Sequence, residues 1–199
     1  MTDVLETPVE EYRNPEYPIL DIFVERWSPR AMSGEAISNR DLMRLFEAAR
    51  WAPSSYNGQP WRLVYARRNT PHWQEFYELL GEFNQEWAGL AAALVVVLSR
   101  RTFEDTGKPA RTHSFDTGAA WQNMALQGRA MNVVVHGMAG FDYEAAAELL
   151  ELSDDFQVEA MIAIGLPAED EVLDEELQEK EEPSDRKLIH EFAFEGRLP

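Results

Sequence analysis

The 199-residue chain has no cysteine. That excludes a disulfide framework, a thiolate nucleophile and any Cys-based zinc or iron–sulfur centre. No apolar run approaches the roughly 18 residues a membrane span requires, so no membrane association is expected. Walker loops, GxGxxG fingerprints and GxSxG elbows are also missing. Lysine is scarce: Lys108, Lys180 and Lys187 stand against 15 arginines, and 18 basic residues face 36 acidic ones for a net charge of −18. Such a surface argues against nucleic-acid binding, which needs basic excess. It suits a high-salt cytoplasm, although GC-rich coding would also favour Arg over Lys. His72, His113, His136 and His190 show no metal-ligand spacing, and no metal is expected. The opening "MTDVLETPVEEYRNPEYP" has neither a basic n-region nor an apolar h-region, so it does not read as a signal peptide, and a cytoplasmic address is the default.

What is present suits one domain with a sizeable core: 45% apolar and 11% aromatic residues. Residues 1–18 read as an irregular arm. A short helix is expected over 19–26. Ser38, with Asp41 three positions on, predicts a capped helix to Trp51 that Pro53 stops. "WRLVYAR" reads as a strand, Thr70-Pro71 as a helix start running to about Leu80, and 83–92 as helical. "ALVVVLS" reads as a buried strand. A long helix follows over 114–131 with a stripe at Phe115, Ala119, Gln122, Ala125 and Met131. "NVVVHGM", an Asp142-capped helix over 143–151, and "VEAMIAIGL" complete the domain at 166. Residues 167–183 hold nine carboxylates and read as a solvated linker. Residues 184–199 are amphipathic but too short to stand alone.

Four clusters carry chemistry. In "ERWSPRAM", Arg26, Ser28 and Arg30 alternate, so an extended backbone sends them to one side as a grip for an anion. They could equally be solvated loop charges. In "APSSYNGQPW", Asn57 and Gln59 could read a heterocycle, and Ser54 and Ser55 a ribityl chain or phosphate. Ser and Asn also bond their own turns. In "HGMAGFD", glycines allow close backbone approach, though strand-to-helix turns with glycine are common. Arg186-Lys187 is the basic pair after the acidic run, and could merely balance local charge.

Together the four resemble the FMN-dependent nitroreductase family. "RWSPR" is similar to the family's phosphate motif, and "APSSYNGQPW" to its Pro-Ser-Ser-x-Asn-x-Gln-Pro-Trp loop. "FNQEWAGLAAALVVVLS", "DTGAAWQNMAL", "GMAGFD" and "SDRK" follow in the family's order across about residues 20–199. The resemblance implies an α+β, three-layer nitroreductase-like fold: a central mixed β-sheet flanked by helices, with the C-terminal arm of 184–199 exchanged in a homodimer and FMN sites at the interface. It implies that Arg26, Trp27, Ser28, Arg30 and Arg186 hold the phosphate region. Pro53, Ser54, Ser55 and Asn57 would reach the flavin from the partner subunit. Asn84 would lie near the ring and ribityl chain, and Met138, Ala139 and Gly140 would form the turn facing flavin N5. Two positions depart from many members: Ala139 replaces an acidic residue and Trp87 a lysine.

The activity implied is hydride transfer from NADH or NADPH through FMN to a small-molecule acceptor such as a nitroaromatic or quinone. No protein acid or base is nominated as catalytic, because the flavin carries the chemistry. Dehalogenation or flavin fragmentation by reduced flavin, and non-catalytic flavin binding, are the alternatives.

Overall fold

The computed structural model describes residues 9–198; the first eight positions of the expected N-terminal arm, and Pro199, lie outside the described residues. Four strands form one sheet in the order β1-β2-β4-β3: β1 is Trp61–Arg67, β2 Ala93–Arg100, β3 Val134–Met138 and β4 Phe156–Gly165. Every pairing among them is antiparallel, where a mixed sheet was expected. The mixed sheet was an implication of the family resemblance, and the apolar run of β2 read only as a buried strand, as parallel strands commonly are. Here a central antiparallel strand is equally apolar because helices cover both of its faces.

Period-two alternation in β2 divides the core. Val95 and Val97, with Ile162, Ile164 and Val135, face α2 (Asn39–Arg50) and α5 (His113–Ala130) through Leu42, Leu45, Ala120 and Met124. Leu94, Val96 and Leu98 face the other way, onto Phe76 and Leu79, which belong to and follow α3 (Trp73–Glu78), and onto Trp87 of α4 (Glu82–Ala88) and Ala146 of α6 (Tyr143–Leu149). The result is helix, sheet, helix: three layers. A short α1, Asp21–Glu25, precedes α2.

The expected caps form. Ser38 accepts the Asp41 N–H at the start of α2, and Asp142 accepts that of Ala145 at the start of α6. Proline does not open α3, which starts two residues later at Trp73 after a turn. The stripe read along α5 is rotated. Its buried face is Asp116, Thr117, Ala120, Met124, Ala125 and Gly128, while Phe115 is 81% exposed. Two polar residues on that inner face misled an apolar count.

The acidic segment 167–183 is not a free linker. Leu173 and Leu177 are buried in the second core layer, the latter on α7, Glu175–Gln178. The run after β4 bridges residues 31–33: Ser33 N–H donates to Leu166 O and Ala168 N–H to Ala31 O. Glu181 then accepts the backbone N–H groups of Arg30 and Ala31. The C-terminal segment lies against the N-terminal one of the same chain, with Ile189 N–H on Glu16. Phe192 stays 62% and Phe194 41% exposed.

Candidate functional site

α1 is followed by Arg26, whose backbone is already extended (φ −69°, ψ 113°), as an alternating reading of "RWSPR" requires at its first residue. Arg26 Nη1 donates to Ser28 Oγ at 3.2 Å. Burial, and then the charge of Arg186, pull the Arg26 guanidinium below its ordinary pKa. The two arginines therefore stand close enough to repel. Among the described residues, Arg186 bonds only oxygens of its own turn, the carbonyls of Ser184 and Asp185 and the Ser184 hydroxyl. The buried indole N–H of Trp27 has no hydrogen-bond partner among them.

Arg13 joins this group, and sequence reading passed over it as part of an irregular arm. It is 8% exposed, and donates to Val24 O, Arg26 O and Ser184 O at 2.6, 2.9 and 2.9 Å. Burial, then Arg186 and Arg26, lower its pKa to about 10. The single signal available was an arginine amid glutamates and prolines.

Arg30 is engaged differently. Its guanidinium pairs with Glu181 at 3.4 Å and lies 6.0 Å from the Phe83 ring centroid. Burial raises the Glu181 pKa against the pull of the Ala31 and Arg30 N–H groups and the Arg30 charge. Next to it, His136 Nδ1 meets Pro29 O at 2.9 Å. A carbonyl only accepts, so Nδ1 carries the proton. Burial foremost, with Arg30 and Arg26 adding, lowers the His136 pKa to about 4 despite that bond. Its ring sits 4.5 Å from that of Trp87.

β3 ends at Met138, whose side chain is 4% exposed and belongs to the core, so only its backbone borders the turn. Ala139 and Gly140 are exposed. Gly140 O accepts from Gly81 N–H at 3.0 Å and from the Asn84 amide at 2.8 Å. The amide of Asn84 is thus committed to the turn, and the Gly140 N–H is left without an acceptor among the described residues.

Among the described residues, positions 53–59 of the polar loop make their hydrogen bonds and ring contacts with one another, Asp116, Arg62 and Phe103, and none with this group. Ser54 Oγ accepts the Gln59 N–H, and the Gln59 amide donates to Asn57 O, so these two side chains bond their own turn. The Ser55 hydroxyl and the Asn57 side chain are not used in this way. Tyr56, Asn57 and Gln59 adopt φ of 51°, 55° and 46°, a left-handed conformation costly for non-glycine residues. Asp116, buried in the first turn of α5, anchors the loop by accepting Ser55 N–H at 3.0 Å. Pro53 is exposed at its base.

The donor set is one of guanidinium, hydroxyl and backbone N–H groups around an uncharged turn. Its chemistry fits a phosphate-bearing heterocycle such as FMN. Among the described residues no helix is long and apolar enough to cross a membrane.

Comparison with known proteins agrees. The model of the nitroreductase family matches residues 23–88 and 72–166. A solved oxidoreductase containing FMN is 43% identical, covering 94% of this chain and 96% of its own, with TM-score 0.89. A protein of Archaeoglobus fulgidus, with a provisional name pairing NADH dehydrogenase and NAD(P)H nitroreductase, is 26% identical over 76% of this chain and 86% of its own length. The nitroreductase family protein of Streptococcus pneumoniae TIGR4, at 20% identity, 88% and 98% coverage and TM-score 0.70, speaks to the fold alone.

Proposed function

We infer that this chain, which belongs to the nitroreductase family, is an FMN-dependent oxidoreductase that passes reducing equivalents from NADH or NADPH to a small oxidised acceptor such as a nitroaromatic or quinone. One observation carries the reading. Arg26 and Arg186 lie far apart in sequence yet close enough for their charges to repel, and among the described residues no carboxylate forms an ion pair with either one. Like charges kept together in this way suit an anion that neutralises both.

Bound FMN would supply hydride acceptance and donation at its ring. The chain's own residues bind and orient. Arg26, Ser28 and Arg186 hold the phosphate, with the Trp27 indole N–H beside them. Arg30, tied to Glu181, sets the course of the backbone toward Ala31. Gly140 offers its N–H, and the Asn84 amide keeps the turn in place. His136 is neutral and spends its N–H on Pro29, so it braces the segment and moves no proton. Because loop 53–57 makes no hydrogen bond with this group among the described residues, Pro53, Ser54, Ser55 and Asn57 serve a second subunit's flavin in a homodimer. The exposed Phe192 and Phe194 supply apolar surface for that interface.

Purified protein loaded with FMN should oxidise NADH or NADPH anaerobically, seen as bleaching of the flavin absorbance, and regain colour with a nitroaromatic or quinone. Failure of both nicotinamides to bleach a bound flavin overturns the donor assignment. Recovery of FAD alone overturns the cofactor. Replacing Phe192 and Phe194 by Ser should yield a monomer by sedimentation; an unchanged dimer removes the arm from the interface.

A further inference from the structure

Three guanidiniums, not two, converge at the proposed phosphate position. Arg13 Nε donates to Ser184 O at 2.9 Å, and Arg186 Nη1 donates to the same oxygen at 3.0 Å. Both hydrogens of Arg13 Nη1 are spent, on Val24 O and on the carbonyl of Arg26 itself. A guanidinium has five N–H donors, so the two on Nη2 remain without an acceptor among the described residues. Arg13 is almost fully buried, and the carboxylate that acts on it, Asp185, counts for less than its two arginine neighbours. A buried cation beside two others raises the free energy of the folded chain unless a counter-charge joins them. Among the described residues Asp185 is the one carboxylate acting on Arg13, and it does not offset the two arginines. Both Arg13 and Arg186 also lie outside residues 23–166 spanned by the family model.

We propose that Arg13 is a third phosphate-binding cation, which completes with Arg26 and Arg186 a pocket for the dianion of a phosphate monoester. The inference rests on the FMN reading and sharpens it. A monoester carries close to two charges at neutral pH, which three guanidiniums match better than the single charge on each phosphate of a diester-linked dinucleotide. Arg13 acts in two ways at once: through Nη2 toward the phosphate, and through Nε and Nη1 by fixing the segments that bear Arg186 and Arg26.

The test compares FMN with riboflavin, which lacks the phosphate, by calorimetric titration of flavin-free wild type, Arg13→Met and Arg13→Lys. Wild type should bind FMN far more tightly than riboflavin. Arg13→Met should weaken FMN by about 10- to 100-fold and leave riboflavin within about two-fold, while Arg13→Lys keeps most of the preference. If wild type binds both alike, the FMN reading itself fails. If wild type prefers FMN and Arg13→Met keeps that preference or weakens both ligands equally, Arg13 is a structural clamp and the inference falls alone. Should Arg13→Met not fold, Arg13→Gln, which keeps an amide donor without the charge, carries the same comparison. Failure of both to fold with FMN present also overturns the inference.

Discussion

Asn84 donates its side-chain amide to the carbonyl of Gly140 across 2.8 Å. A Cβ added to Gly140 would meet that same amide nitrogen at 2.9 Å, closer than a carbon and a bonded nitrogen can settle. Gly140→Ala should therefore displace Asn84, at about 1 kcal/mol for the lost hydrogen bond. Asn84→Ala should cost about as much alone. In the double variant the clash has nothing to strike, so the two costs should fall short of additive by at least about 0.5 kcal/mol. Urea unfolding of the four proteins reads the cycle. Strict additivity would show that the two residues do not constrain each other.

The loop carrying Ser55 and Asn57 should depend on Asp116. Three left-handed residues store roughly 1 kcal/mol each, and the Ser55 N–H bond to Asp116 is what ties them to α5. Hydrogen exchange at the Ser55 amide of flavin-free protein should be slow in wild type, fast in Asp116→Ala, and slow again in Asp116→Asn, whose carbonyl still accepts. Equal protection in all three would mean that another contact holds the loop.

Leu177, in the middle of the acidic stretch, is 2% exposed. Leu177→Ala should cost about 2–5 kcal/mol, whereas Val172→Ala nearby, at 45% exposure, should stay within about 0.5 kcal/mol. Chemical denaturation separates them. A neutral Leu177→Ala would return the segment to the status of a solvated tether.

His136 gives a pH dependence of fixed sign. Its folded pKa, about 4, lies below the ordinary 6.5, so the unfolded chain binds the proton more readily. The stability it allows is complete above pH 6.5 and drains away as pH falls toward 4, by about 3 kcal/mol at most. His136→Gln can still donate to Pro29, and should erase that part of the slope. Urea midpoints at intervals from pH 7 to 4 should show wild type losing ground to the variant. Parallel curves would mean that the imidazole is not held neutral.

Local chemistry in this chain was legible, and long-range pairing was not. Ser38 and Asp142 announced their helices because a cap is decided within four residues. "RWSPR" announced its geometry because alternation is decided by the backbone. Strand direction was hidden, since a run such as "ALVVVLS" records how much is buried and not which way its neighbour runs. Leu173 and Leu177 carried a helical i, i+4 signal that nine surrounding carboxylates outweighed in any count of composition. Glu181 and Arg30 are separated by 151 positions, and Arg13 and Ser184 by 171. No local pattern reports such partners. Asn84 was singled out in the sequence, yet its partner, the Gly140 carbonyl, follows only from the fold.

The bond between Arg13 and Ser184 has a consequence for the order of events during synthesis. Arg13 and Arg26 leave the ribosome well before Ser184 and Arg186, since 171 positions separate Arg13 from Ser184. The sheet between Trp61 and Gly165 can close before that moment, but the cluster of cations cannot. On the proposed reading, a nascent chain that has not reached Arg186 therefore has no complete seat for an anion, and only one that has passed it can be loaded. Because a ligand of the folded state stabilises it by mass action, the cellular supply of that anion then draws chains carrying all three arginines, and not shorter ones, into the native population.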